Sequence, residues 1–260
     1  IEKQIRLIVE WMRVGFIHGV MNTDNTAISG ETIDFGPCAM MGVYDPKTVY
    51  SSIDHTGRYA FGNQPSIAQW NLACLAECML LVIDENDTHS IKQVKSLITE
   101  FPDRYQQAYQ KMIASKLGIL SVQKGNEKFP DTFLEQLCLL KKDYTITFDL
   151  LTKSLNSDSL TSQLKTELGQ TFDHWQKIVI EQSVPTEKIQ TIMRRHNPVV
   201  IPRNHQIETV IRTCAETGEA SSAKLFLDVL RQPYKELTQT SKYQSEPSDG
   251  DQHYKTFCGT

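Results

Sequence analysis

No two cysteines in this sequence stand at a C-x-x-C spacing. The six, Cys38, Cys74, Cys78, Cys138, Cys214 and Cys258, are scattered, which argues against a zinc ribbon or a dithiol redox motif. No Gly-x-Gly-x-x-Gly occurs among the 13 glycines, so a glycine-rich phosphate loop is not expected here. A dominant charge is also missing: 27 basic against 31 acidic residues give a net charge of −4, and no general attraction to nucleic acid or an anionic membrane follows. The longest apolar run, around Cys78 to Ile83, is too short to span a bilayer. There is no signal-peptide pattern and no repeat. What remains is ordinary for a globular chain of one large or two small domains: 260 residues, 40% hydrophobic and 22% charged. Cys74 and Cys78, one helical turn apart, read as small core residues. Unpaired cysteines fit a reduced, intracellular setting.

The stretch that carries chemistry is His18–Pro37, HGVMNTDNTAISGETIDFGP. Apolar Ile28 and Ile33 flank a polar turn at Ser29, Gly30 and Glu31, which predicts a short hairpin ended by Gly-Pro. Such a hairpin would bring Asn25 and Asp34 to the same end. An amide oxygen and a carboxylate there suit a hard divalent cation, with substrate phosphates filling other positions. The competing reading of Asn22, Thr23, Asp24 and Asn25 is a polar turn whose side chains satisfy their own backbone.

Protein kinases hold Mg2+ with the same two residue types, the Asn of H-R-D-x-x-x-x-N and the Asp of D-F-G. His18 to Asn25 keeps the seven-residue spacing, and Asp34-Phe35-Gly36 supplies the triplet. The position of the kinase base is Val20, which accepts no proton. Asp24 is the nearest carboxylate able to take that role, and it would act mainly through position. His18 reads either as a buried residue bonded to backbone or as a direct participant.

HGVMNTDN and the DFGP that follows, SSIDHTGRYAFGNQP (51–65), NPVVIPRNHQIE (197–208) and YKTFCGT (254–260) together resemble the selenoprotein O family, called YdiU in bacteria. The resemblance implies a kinase-like fold that moves AMP, not phosphate, from ATP to Ser, Thr or Tyr hydroxyls of proteins. It implies Mg2+ (or Mn2+) as cofactor, Asn25 and Asp34 as metal ligands with Asp34 also facing the nucleotide, Asp24 as proton acceptor, and a cytoplasmic bacterial setting. No nucleic-acid or membrane partner is expected.

The expected fold is mainly α: a kinase-like C-lobe with a small catalytic-loop β-hairpin over residues 1–120, a helical C-terminal extension over 121–237, and a flexible tail over 238–260. Helices are predicted at 2–17, 64–83, 88–100, from a break at Phe101-Pro102-Asp103 to 117, at 130–142, 144–154, 158–166, 169–182, 186–195, 205–217 and 220–231. The 64–83 helix would bury Ile67, Trp70, Leu72, Leu75, Met79 and Leu80. Arg58 reads either as a phosphate or carboxylate contact or as a tie between its segment and the lobe. Asn204 and His205 read as helix caps, or else Arg203 and His205 reach the active site.

Cys258 near the terminus is a candidate redox thiol. In the family some members carry selenocysteine there, and a terminal cysteine can bond to a partner after the DFG motif. That position falls at about Tyr50 here, so the pairing looks absent, with Cys38 as a weak substitute. The chain opens on Ile inside a helical pattern, which suggests a fragment without the nucleotide-gripping N-lobe and with little activity alone. The rival functions are ordinary phosphoryl transfer and a non-catalytic scaffold or redox sensor centred on Cys258.

Overall fold

The computed structural model describes residues 1–83, 87–121, 125–247, 250, 251 and 253–257. It is mainly helical, as expected. Among the described residues there are eleven α-helices and one two-stranded sheet. Helix α1 (Glu2–Val14) buries Ile5, Ile8, Val9, Trp11 and Met12 on one stripe and stops at Gly15, which takes the left-handed conformation of a C-cap. Strand β1 (Phe16–Ile17) then pairs antiparallel with β2 (Ala39–Met40), Phe16 against Met40 and Ile17 against Ala39.

The hairpin expected inside residues 18–37 is therefore corrected. The pairing lies at the base of the stretch, not within it. Thr23–Asn25 is a 3-10 turn, and Ile28 and Ile33 are exposed at 78% and 39%. They have no sheet face to bury against, so their alternation does not report a strand.

Helix α2 (Gln64–Ile83) follows, then α3 (Asp87–Lys116). The break expected at Pro102 does not occur: α3 runs through it. The physical reason lies on the neighbouring helix. Proline lacks the N–H that would bond the carbonyl of Ile98 four residues earlier, and Gln69 of α2 donates its Nε2 to that carbonyl at 2.9 Å. The helices α4 (Phe129–Leu139), α5 (Tyr144–Ser154), α6 (Asp158–Leu168), α7 (Gln170–Glu181) and α8 (Thr186–His196) match the predicted segments to within a few residues. One continuous apolar core runs from Ile5 on α1 to Met193 on α8. It includes Phe133, Phe148, Phe172 and Trp175, each at most 1% exposed.

Helices α9 (Asn204–Thr217), α10 (Ser221–Leu230) and α11 (Thr240–Gln244) complete the chain. A small second core joins Val200, Phe226, Val229 and Tyr243. The expectation of a poorly packed segment from Thr238 to His253 is corrected, because Thr240, Tyr243 and Asp251 are buried in it. Its polar composition hides one aromatic anchor, Tyr243, whose ring lies 4.7 Å from that of Phe226.

Helix α2 departs from the expected burial. Ile67, Ala68, Asn71 and Leu72 are buried, but Trp70, Leu75, Met79, Leu81, Val82 and Ile83 are exposed. Cys74 is only partly buried and Cys78 is exposed, so neither is the core residue expected. The expectation that no stretch could span a bilayer is corrected too: the helical stretch Phe61–Ile83 is long and apolar enough to do so by length and composition.

Candidate active site

The site loop spans residues 18–38 and is closed at its base by the β1–β2 pair. His18 links its two arms. The ring is buried, and its Nε2 lies 2.8 Å from the carbonyl of Ile33. A carbonyl only accepts, so Nε2 carries the proton, and Nδ1 accepts the N–H of Val20 at 3.4 Å. Burial pushes the His18 pKa down, which favours this neutral form. The reading of His18 as a buried residue bonded to backbone is the one these bonds support.

Helix α2 anchors the first arm. Gln64 accepts the His18 N–H at 3.0 Å and donates to the carbonyl of Phe16 at 3.0 Å. Asn71, two turns on, donates to the carbonyl of Met21 at 3.1 Å and to Thr26 Oγ1 at 2.8 Å. Tyr59 donates its hydroxyl to Asn22 Oδ1 at 2.6 Å. Gly19 takes φ +88°, and a Cβ there would stand 2.5 Å from the Pro37 carbonyl oxygen. Only glycine lets the two arms cross at this point.

Asp24 and Asn25 share the 3-10 turn on the first arm, and Asp34 is on the second. Asp24 is exposed. Asn25 is partly buried, and its Nδ2 donates to the Val20 carbonyl at 3.0 Å. That bond commits the nitrogen and leaves the amide oxygen as the end able to bind a ligand. Asp34 has φ +53°, a conformation that Asp adopts more readily than most residues. Its carboxylate is exposed and accepts the Gly36 N–H at 3.3 Å. Asn25 and Asp34 thus offer oxygen donors, the type a hard divalent cation takes. Among the described residues no cluster of three or more His, Cys, Asp or Glu could hold a metal alone. A cation held here would need ligands from a bound phosphate as well.

Cys38 is partly buried and its thiol pKa is raised, by burial first and by the nearby Asp34 charge as well. That makes it a poor nucleophile. Cys258 lies outside the described residues. Arg58 stacks its guanidinium 4.8 Å over Trp70, which ties the segment to the lobe. Asp54 accepts the backbone N–H groups of Thr56, Arg58 and Tyr59, and so shapes this turn.

The N-cap of α9 is Arg203, without a side-chain cap bond, in place of the expected Asn204 and His205. His205 Nε2 lies 3.0 Å from Gln206 Nε2 on the same helix, and Arg203 turns to Asp143. Arg203 pairs bidentately with Asp143 at 2.7 and 3.1 Å, both residues at most 3% exposed. Asn204 bonds both backbone groups of Met40 at 3.2 Å, so it clamps β2. Sequence reading missed Gln64, Asn71 and Asp143. The first two lie in a predicted helix and the third between two, and spacing says nothing about what such a residue reaches across the fold.

Comparison with known proteins follows the same lines. The family described as protein adenylyltransferase SelO matches residues 1–231. A protein nucleotidyltransferase YdiU of Teredinibacter turnerae is 48% identical over 258 residues, covering 99% of this chain and 53% of the relative. Those of Pseudoalteromonas translucida and Geobacillus kaustophilus are 43% and 42% identical over 260 residues, covering 53% and 54% of the relatives. The chain spans about half the length of the curated relatives it matches. A closed loop carrying Asp24, Asn25 and Asp34, together with a match over residues 1–231, means that this chain belongs to the SelO family of protein adenylyltransferases.

Proposed function

We propose that this chain carries the catalytic loop of an enzyme that transfers AMP from ATP to Ser, Thr or Tyr hydroxyls of proteins. Asn25, through its free amide oxygen, and Asp34, through its carboxylate, would hold Mg2+ (or Mn2+). When bound, that ion would supply charge neutralisation for phosphate chemistry. Asp24, on the same turn as Asn25, takes the proton from the incoming hydroxyl. The hydroxyl oxygen bonds to the α-phosphorus as the bond from that phosphorus to the β-phosphate bridging oxygen breaks. His18 stays neutral and holds the two arms in register.

The observation that carries this reading is the orientation of Asn25: its nitrogen is bound to the Val20 carbonyl, so its oxygen is the end left for a cation. Asp34→Ala in the intact protein is expected to abolish metal-dependent transfer, and near-normal activity would refute the site. ATP labelled at the α-phosphate is expected to label protein, and label arriving only from the γ-phosphate would establish phosphoryl transfer instead. Residues 1–260 expressed alone are expected to bind Mg-ATP weakly and turn over slowly.

A further inference from the structure

Three pieces of chain meet at the carbonyl of Pro37, the residue after the Asp34-Phe35-Gly36 triplet. Gly19 crosses it from the first arm of the loop. Thr256, 219 residues further on, donates its hydroxyl to the same oxygen at 2.6 Å. Thr256 is only 7% exposed, so at that depth the bond replaces one that water would otherwise make. The residue is itself seated by backbone pairing. Its N–H donates to the carbonyl of Tyr50 at 2.9 Å, and its carbonyl accepts the N–H of Ser52 at 2.9 Å, a parallel bridge to Ser51. Two residues earlier, the Tyr254 ring packs edge-on against Tyr50 at 5.8 Å, and its hydroxyl donates to Glu208 of α9 at 3.3 Å.

The Asp34 triplet is thus suspended between two held carbonyls. Ile33 is held by His18 and Pro37 by Thr256. Asp34 occupies a left-handed backbone conformation between them, and its carboxylate direction follows the backbone at both ends.

We propose that Tyr254–Thr256 is a strap and that Thr256 is a positioning residue for the Asp34 arm. Thr256 acts on the metal and nucleotide end of the reaction, not on the protein substrate. This rests on the reading of Asp34 as a metal ligand given above.

The test compares Thr256→Val, which keeps the shape and removes the hydroxyl, with Thr256→Ser, which keeps the hydroxyl. Both are made in the intact protein. Hydrogen exchange is followed by mass spectrometry, and AMP transfer is titrated with Mn2+. Thr256→Val is expected to speed exchange over residues 33–40 while leaving α5 to α8 unchanged. It should raise the Mn2+ concentration for half-maximal transfer by about threefold to tenfold, the loss of one hydrogen bond, with KM for the protein substrate unchanged. Thr256→Ser should restore both readouts. Unchanged exchange over 33–40 in Thr256→Val, or a serine variant as impaired as the valine one, would overturn the proposal. A rise confined to the protein-substrate KM would overturn it as well. If the unaltered protein transfers no AMP, the reading of the function falls, and exchange alone then decides the strap.

Discussion

At the scale of single residues, the site is held by polar side chains that bond to backbone, and His18 is the one whose protonation is opposed by burial. Its pKa is pushed down by burial, so the folded protein resists taking the proton that the unfolded chain accepts at about pH 6.5. Above that pH both states are neutral and the contribution is complete. As the pH falls through it, the unfolded state gains protons first and stability drops. Denaturant unfolding at stepwise lower pH is expected to show this loss. His18→Gln still offers a donor to the Ile33 carbonyl but cannot titrate, so it should flatten the slope below pH 6.5. An identical slope in the two proteins would remove His18 from the account.

At the scale of elements, two contacts decide how helices meet the loop. The Asp143–Arg203 pair joins the start of α5 to the start of α9 and is buried on both sides. Asp143 also caps α5, accepting the Ile146 N–H at 2.8 Å. Asp143→Ala leaves Arg203 charged and buried, and should cost about 3–5 kcal/mol in chemical denaturation. Asp143→Leu with Arg203→Met removes both charges and should recover much of that loss. A double variant weaker than the single would show that the cap, not the charge pair, dominates. The contact between Gln69 and the Ile98 carbonyl makes a similar pair with Pro102. Gln69→Leu is expected to destabilise by about 1–3 kcal/mol, because a carbonyl is left unbonded. In a Pro102→Ala background the N–H of residue 102 can bond that carbonyl, so the same change should cost less. Equal costs in the two backgrounds would rule out this coupling.

At the scale of the whole molecule, the last turns of α2 leave Leu81 84% and Val82 79% exposed, with Met79 and Ile83 beside them and Ile91 and Leu97 exposed on α3. A patch of that kind promotes association. Residues 1–260 should show concentration-dependent light scattering that Leu81→Lys with Val82→Glu reduces, and a monodisperse monomer before the change would contradict this. The helices from α4 to α8, and α10, were legible because each writes its buried stripe at 3.6-residue spacing. The continuity of α3, the exposure of α2 and the packing of Tyr243 were not, because each depends on a partner far along the chain. The residue types of the proposed site stand in NTDN and DFG, and one loop carries both. Its supports were not legible, since no local pattern says which distant backbone group Gln64, Asn71 or Thr256 bonds.

Those supports carry a kinetic consequence. The bonds holding the loop span 15 residues for His18 to Ile33, 46 for Gln64 to His18, 164 for Asn204 to Met40 and 219 for Thr256 to Pro37. Wider closures lose more chain entropy before any contact rewards them. During refolding, circular dichroism should therefore recover first, and protection of the amides at 33–40 should come last, after the helices are already in place.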